Sequence, residues 1–420
     1  MRKRNRNIFK GLDWSLVLLY LILVFLGWLS IYSASMSETH FQVFDFNVKY
    51  GKQLLWIILS FILIIFILFI DAKFYERFAS LIFVFSILTL IGLFAFGKTI
   101  SGATSWYVFN GVSLQPSEFA KAATALALAK LISDKQYNLK LFKNQVKAFF
   151  IILLPVLLII PQPDPGSAIV FLSFTFVLYH EGLPKYYFGI GLSAIALFIL
   201  ALLYDKLIIS GVLVIIAVLF YFLIKTKKSK FFQIFILLTV SIGYIYTVDF
   251  VFNNVFEQRH RDRINLIIGK TTDAKGIGYN TQQSEIAIGS GNLFGKGFLQ
   301  GTQTKGNFVP AQHTDYIFST VGEEFGFLGS CIVVVLFMIF IMRILKKAYL
   351  QKNKFSRIYG YAIAAVFFIH FTVNIGMVLG LLPTIGIPLP FFSYGGSALW
   401  GFTILLFIFI RLDANKYYEW

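Results

Sequence analysis

The chain has 420 residues, of which 58% are hydrophobic and 14% charged, and it carries a formal net charge of +17. Its long apolar runs are typical of a polytopic membrane protein and not of a soluble core. The basic residues lie mainly in short loops between these runs, so membrane orientation explains them and argues against nucleic-acid binding. The single cysteine, Cys331, excludes an intrachain disulfide.

Open sheet edges are not tolerated in hydrocarbon and no alternating barrel pattern recurs, so the spans are predicted to be helices. We therefore predict an all-α polytopic membrane protein with about twelve transmembrane helices. The run at 14–33 follows basic residues as in a signal peptide, but it is long enough to be an uncleaved first span. The predicted spans are 14–33, 53–70, 78–97, 117–132, 147–160, 167–180, 186–204, 207–224, 231–250, 315–343, 358–381 and 398–411.

Orientation follows from the basic residues of the connecting segments. Lys and Arg are roughly twice as numerous on the side of the N-terminus, and seven of those on the other side lie in the loop 251–314. Both termini are therefore predicted to be cytoplasmic and the loop 251–314 to be external. Residues 1–420 are predicted to form a single membrane domain.

Polar residues interrupt the apolar pattern at the fourth and sixth predicted spans. In "GATSWYVFNGVSLQPSEFAK" (102–121), Glu118 and Lys121 are three residues apart on one helix face and can neutralise each other. They form either a structural ion pair or the wall of a polar cavity. In "PQPDPGS" (161–167), Asp164 is either a turn former or part of a re-entrant segment that lines a cavity.

The external loop contains alternating arginines in "EQRHRDRINLIIG" (257–269). On an extended segment, Arg259, Arg261 and Arg263 would point to one side and could bind phosphate. The glycines that follow would let backbone N–H groups approach an anion. A basic loop near lipid headgroups is the alternative for both features.

The stretch "HTDYIFSTVGEEFG" (313–326) enters the tenth predicted span with several ionisable groups. Thr314 or Asp315 is predicted to be the N-cap of that helix. Glu323 and Glu324 lie on other faces than Asp315, so we expect buried support or cavity lining from them. Asp315 must therefore act with groups from other segments.

At its C-terminal end the chain carries "NIGMVLGLLPTIGIPLPFFSYGGSAL" (374–399), which resembles the RodA/FtsW/SpoVE family, the SEDS proteins. The resemblance also rests on "QPSEFAK", "QPDPGS", "RDRI", "QSEIAIGSG" and "HTDYIFSTVGEEFGFLG", which follow in the family's order over nearly the whole chain, and the loop is closest to the RodA branch. The family usually has about ten spans, so residues 186–250 are predicted to contain an inserted helical pair. Ser105 stands before Trp106, where family members often have a basic residue.

The resemblance implies a peptidoglycan glycosyltransferase that polymerises lipid II at the outer face of the bacterial cytoplasmic membrane, in cell elongation and shape maintenance. Undecaprenyl pyrophosphate would be released, and Asp315 matches the family's essential aspartate. The other residues implied for the substrate, its pyrophosphate or the cavity are Arg261, Arg263, Lys121, Glu118, Trp106, Asp164, Gln283, Lys296, His313 and Ser393.

The chemistry of this reaction needs one general base for the attacking sugar hydroxyl and positive charge for the pyrophosphate. Asp315 is predicted to be the base, an orienting group or a metal ligand. No cofactor is certain, and a divalent cation, Mg²⁺ or Mn²⁺, stays an option. The alternatives are a lipid II flippase and a non-catalytic scaffold of the cell-wall synthesis complex.

The implied partners are a class B penicillin-binding transpeptidase and the membrane proteins of the elongation complex. This chain has no S-x-x-K or K-T-G signature, so cross-linking of the glycan strands would need a separate protein.

Overall fold

The computed structural model describes residues 11–36, 45–109, 111–223, 228–256, 258–268, 278–306, 308–310 and 312–416. The chain divides into two compact units, Met1–Leu183 with Asn280–Trp420, and Pro184–Tyr279. In chain order, the described helices are α1 (Trp14–Ser35), α2 (Lys49–Phe69), α3 (Ala72–Phe96), α4 (Pro116–Ser133), α5 (Phe142–Ile159), α6 (Pro165–Leu172), α7 (Phe174–His180), α8 (Tyr186–Leu203), α9 (Lys206–Leu223), α10 (Lys228–Asn254), α11 (Gln258–Ile267), α12 (Tyr279–Ser290), α13 (Thr302–Lys305), α14 (Ile317–Tyr349), α15 (Lys354–Val378) and α16 (Gly396–Asn415).

Within the described residues, ten helices are long and apolar enough to cross a membrane. They correspond to ten of the twelve predicted spans. The predicted span 117–132 is α4, which carries three charged residues. The predicted span 167–180 is the short pair α6 and α7, which meet at Ser173. The prediction of a mainly helical, polytopic membrane protein is confirmed.

Helix α4 lies at the centre of the first unit, where it packs against α3, α5, α15 and α16. Its sequence is rich in alanine, and small side chains let neighbouring helix backbones approach closely. Pro116 occupies the first turn of the helix, where a missing N–H costs nothing. Ser117, Glu118, Lys121 and Thr124 of α4 are accordingly buried among other helices.

A three-stranded antiparallel sheet connects α3 to α4, which an all-α prediction missed. Its strands are β1 (Lys98–Ile100), β2 (Ala103–Phe109) and β3 (Val112–Leu114), in that order across the sheet. Ser101 and Gly102, between the first two strands, both have positive φ, as a tight hairpin turn requires. The all-α prediction is therefore wrong for this segment, although the predicted spans themselves are helical.

Helix α14 is interrupted near its start by Gly326, whose φ of 63° and ψ of −159° are not helical. The loop that follows α12 packs against this break through its backbone. Lys296 N donates to Glu323 O at 3.0 Å, and Phe327 N donates to Asn292 O at 2.8 Å. A side chain at position 326 would overlap Gly295 N. The loop thus satisfies backbone groups that the break removes from the helical pattern.

The second unit contains α8, α9, α10 and α11, with a small core of Leu202, Val248 and Phe252. The arginines around Arg261 were predicted to alternate on an extended segment, but α11 is helical there. Residues two apart point to different sides of a helix, so the reasoning that placed all three arginines on one side is wrong. Arg261 donates to Asn253 O at 2.8 Å within the unit.

Candidate functional site

Two of the sequence motifs, "QPDPGS" and the stretch that contains Asp315, meet at the segment 379–395, between α15 and α16. Gly166, in the "QPDPGS" motif, packs so closely that a side chain there would overlap the carbonyl oxygen of Ile385. A Cβ atom added to Gly386 would lie 3.7 Å from Asp315 Oδ2. The segment around Gly386 therefore lies between the Asp164 turn and the carboxylate of Asp315.

The backbone around Asp315 is held by three successive carbonyl groups. His313 O accepts from Tyr394 N at 2.9 Å, and Thr314 O accepts from Ser393 Oγ at 2.7 Å. Asp315 O accepts from the buried Asn374 Nδ2 at 2.8 Å. All three donors belong to the stretch 374–399 on which the family resemblance rests. The Asp315 turn is thus fixed at main-chain level while its side chain stays half-exposed.

The structure corrects the predicted start of α14. Residues 312–316 form a turn, the N-cap position is Tyr316, and no side chain caps the helix. Neither Thr314 nor Asp315 is the N-cap, so the prediction of a capping aspartate is wrong. The carbonyls of this turn instead accept hydrogen bonds from residues distant in sequence, so the turn does not continue the helical conformation of α14.

Glu118 and Lys121 form the predicted ion pair, with Lys121 Nζ 2.8 Å from both carboxylate oxygens. Both side chains are buried, and Lys121 is 0% exposed. Lys121 Nζ also lies 3.0 Å from His370 Nε2 and 5.0 Å from the centre of the Phe402 ring. The pair is closed off by protein in this structure.

Asp164 is the N-cap of α6, where its Oδ1 accepts from Ser167 N at 3.0 Å. Its Oδ2 accepts from Ser167 Oγ and from Gln115 Nε2, both at 2.8 Å. Gln115 directly precedes α4, so the hydrogen bond to Asp164 connects the start of α6 to the start of α4. The turn-forming role of Asp164 is confirmed, and its use in substrate binding stays a prediction.

Glu323 is buried and accepts hydrogen bonds from one short stretch of the preceding loop. Lys296 Nζ donates to it at 2.8 Å, Gln303 N at 2.8 Å and Thr304 N at 2.9 Å. Glu324, the next residue, is also buried; it binds Ser33 Oγ and accepts from Leu299 N at 3.1 Å. The structure confirms that both glutamates are buried, as expected for buried support or cavity lining.

His313 lies next to Tyr394, and its Nδ1 is 3.3 Å from Lys49 Nζ. Burial, assisted by the charge of Lys49, lowers the pKa of His313 to about 4. The imidazole is therefore neutral near pH 7, with Nδ1 as the acceptor for Lys49.

The remaining predicted residues have fewer described contacts. Trp106 is half-buried on β2, where it pairs with Lys98 of β1. Gln283 lies on α12 and is half-buried. Arg261 and Arg263 belong to the second unit.

Sequence reasoning missed His370 and Asn374, which lie one turn apart on the same face of α15 and are both buried. The signal was present, because a histidine and an asparagine inside an apolar span are unusual and favour a functional interpretation.

Among the residues that the structure describes, no three His, Cys, Asp or Glu side chains are grouped to hold a metal ion. Mg²⁺ is often bound through one or two carboxylates together with substrate phosphates. A single carboxylate such as Asp315 fits that mode of binding.

Comparison with known proteins identifies the family. The family model described as cell cycle protein, FtsW/RodA/SpoVE, matches residues 13–210 and 190–418. The peptidoglycan glycosyltransferase MrdB of Escherichia coli is 33% identical over 92% of this chain and 90% of its own length. The peptidoglycan glycosyltransferase RodA of Treponema pallidum is 33% identical over 96% and 98%.

A solved structure has the same fold. This is the structure of a peptidoglycan synthase complex that coordinates polymerization and crosslinking. One chain of that structure matches this chain with a TM-score of 0.72. That match is 23% identical in sequence and covers 97% of this chain and 99% of the other.

Proposed function

The chain belongs to the FtsW/RodA/SpoVE family of cell cycle proteins, and we infer that it is a peptidoglycan glycosyltransferase. We propose that it polymerises lipid II into glycan strands and releases undecaprenyl pyrophosphate, in cell elongation and shape maintenance. The observation that carries this proposal is the fixed turn at Asp315, with its three carbonyls bound by Asn374, Ser393 and Tyr394.

In the proposed reaction, the 4-hydroxyl of the acceptor sugar attacks the anomeric carbon of the donor. A new carbon–oxygen bond forms, the bond to the lipid pyrophosphate breaks, and the hydroxyl proton passes to the carboxylate of Asp315. A general base of this kind typically contributes about 10²–10⁴-fold to the rate. Pyrophosphate leaves as an anion and needs no general acid, so one carboxylate is enough.

The leaving pyrophosphate needs positive charge, and two of the candidate lysines are already engaged in ion pairs. Lys121 is paired with Glu118, and Lys296 is paired with Glu323 at 2.8 Å. Each of these lysines would have to exchange its carboxylate for the substrate, which costs interaction energy in a buried site. The family resemblance implies Arg261 and Arg263 for binding pyrophosphate, and we propose them on that ground; a divalent cation would supply the same charge.

The chain is a multi-pass bacterial membrane protein. We propose that it lies in the cytoplasmic membrane with twelve passes, both termini inside and Asp315 facing outward. The positive-inside bias of the connecting segments supports this orientation. The helices of residues 184–279 form a unit of their own, which supports an inserted helical pair within 186–250. A class B transpeptidase partner is supported by the synthase complex in which the similar fold was solved.

The test is polymerisation of labelled lipid II by purified protein carrying Asp315→Asn. This change keeps the size of the side chain and leaves the main-chain hydrogen bonds intact, so we expect a folded protein with at least about 100-fold lower activity. Asp134→Asn, an exposed aspartate after α4, is the matched control and should keep full activity.

Near-normal polymerisation by Asp315→Asn would refute the catalytic assignment. Labelled lipid II that crosses the bilayer of proteoliposomes without polymer would favour a flippase. A native chain that is inactive in both assays but supports growth would favour a scaffold.

A further inference from the structure

His370 joins two parts of the molecule that the proposed mechanism treats separately. It lies inside the membrane helix α15 and is 1% exposed. Its Nε2 lies 3.0 Å from Lys121 Nζ, and its Nδ1 lies 3.2 Å from Pro388 O. One imidazole thus bridges the buried ion pair of α4 and the segment 379–395.

The two partners fix the protonation of the ring. Pro388 O can only accept a hydrogen bond, so Nδ1 must carry a proton. The ammonium group of Lys121 can only donate, so Nε2 must offer its lone pair. His370 is therefore a neutral imidazole of one defined tautomer, which donates at one nitrogen and accepts at the other. The Phe402 ring, whose centre is 4.7 Å away, packs against it edge-on.

The bridge ends next to Asp315. Asn374, one turn after His370, donates to Ile387 O at 2.7 Å and to Asp315 O. Two side chains on one face of α15 therefore bind the consecutive carbonyls of Ile387 and Pro388. The residue before them is Gly386, whose added Cβ would lie 3.7 Å from Asp315 Oδ2.

We propose that His370 is a positioning residue of the polymerase, which connects the Glu118–Lys121 pair to the backbone beside Asp315. This role rests on the proposed function. Without His370, Lys121 loses a hydrogen-bond acceptor and keeps Glu118, and Pro388 O loses the donor at His370 Nδ1. Of the two side chains on this face of α15, only Asn374 would then bind the segment 385–388, so that segment could shift relative to Asp315. A shift of about 1 Å at a reacting group can cost about 100-fold in rate.

Three substitutions of His370 separate bridging from simple packing. Glutamine can accept from Lys121 with its oxygen and donate to Pro388 O with its nitrogen, so His370→Gln should keep kcat within about 3-fold of the native protein. Asparagine carries the same amide on a side chain one methylene shorter, which cannot reach both partners. His370→Asn and His370→Leu should therefore lower kcat by about 10-fold to 100-fold. The KM for lipid II should change little, because His370 does not contact the substrate in the proposed mechanism.

The measurement is lipid II polymerisation at several substrate concentrations, together with the thermal unfolding midpoint of each purified variant. Ile363→Ala, equally buried two turns earlier on α15, is the packing control. It should lower the midpoint and leave kcat unchanged. The role of His370 is overturned if His370→Leu keeps native kcat, or if His370→Gln is as slow as His370→Leu at equal thermal stability. A native chain without polymerase activity would instead refute the proposed function itself.

Discussion

Replacing Asn374 by leucine removes both hydrogen bonds that its amide donates, to Asp315 O and Ile387 O. A buried carbonyl that loses its donor costs about 1–3 kcal/mol, so the two together cost about 2–6 kcal/mol. Leucine also removes Asn374 Oδ1, a buried acceptor with no hydrogen-bond partner, which returns about 1–3 kcal/mol. Because the two side chains are similar in volume, we expect a net loss of about 1–3 kcal/mol.

If the transition state loses the same free energy, kcat for lipid II polymerisation should fall by about 5-fold to 150-fold. Asn374→Asp should be worse than Asn374→Leu, since it retains an acceptor and places negative charge beside two carbonyls. Thr372→Leu, on the exposed side of the same helix, serves as the control. The measurement is kcat of purified protein with the unfolding midpoint. Native kcat for Asn374→Leu would show that the hydrogen bonds from Asn374 to Asp315 O and Ile387 O are not needed to hold the Asp315 turn for polymerisation.

Three further predictions concern the surroundings of the site. Glu323→Gln removes the charge that Lys296 and the loop N–H groups bind, so thermal unfolding in detergent should show a loss of about 2–3 kcal/mol, and an unchanged midpoint would contradict this. The pKa of His313 is lowered from 6.5 to about 4, so the unfolded chain binds a proton in a range where the folded chain does not. The free energy of unfolding should therefore rise between about pH 4 and 6.5 and then level off; His313→Gln should reduce this rise, and an identical pH profile would count against it. Gly166→Ala should push against Ile385 O and lower kcat by about 10-fold in the polymerisation assay, whereas native kcat would rule out the close packing.

Much of the architecture could be predicted because it is local in sequence. Apolar runs of sufficient length give helices in a membrane, and ten of the twelve predicted spans are long apolar helices. The Glu118–Lys121 pair could be predicted for the same reason, because residues three apart on a helix are neighbours. The short sheet after α3 escaped prediction because its strands have three, seven and three residues, too few for a clear alternating pattern.

The geometry around Asp315 could not be predicted, because it depends on contacts between distant residues. Local rules favour an acidic N-cap at the start of α14, and they fail because Asn374 and Ser393 bind the carbonyls of Asp315 and Thr314. These partners are 59 and 79 residues away in the chain. No periodicity or capping rule relates residues at such separations. The motif "HTDYIF" predicts Asp315 as a site residue, and only the fold identifies what holds its turn.

The hydrogen bonds to the Asp315 turn also set an order of events during synthesis. The ribosome synthesises Asp315 and α14 before it synthesises α15 and the segment that carries Ser393 and Tyr394. Until Asn374, Ser393 and Tyr394 have been synthesised and inserted, they cannot donate hydrogen bonds to the three carbonyls of the turn. A nascent chain that ends after α14 therefore contains Asp315 without the hydrogen bonds that hold its turn. If this turn carries the proposed activity, that activity requires the last part of the protein to have been synthesised and inserted.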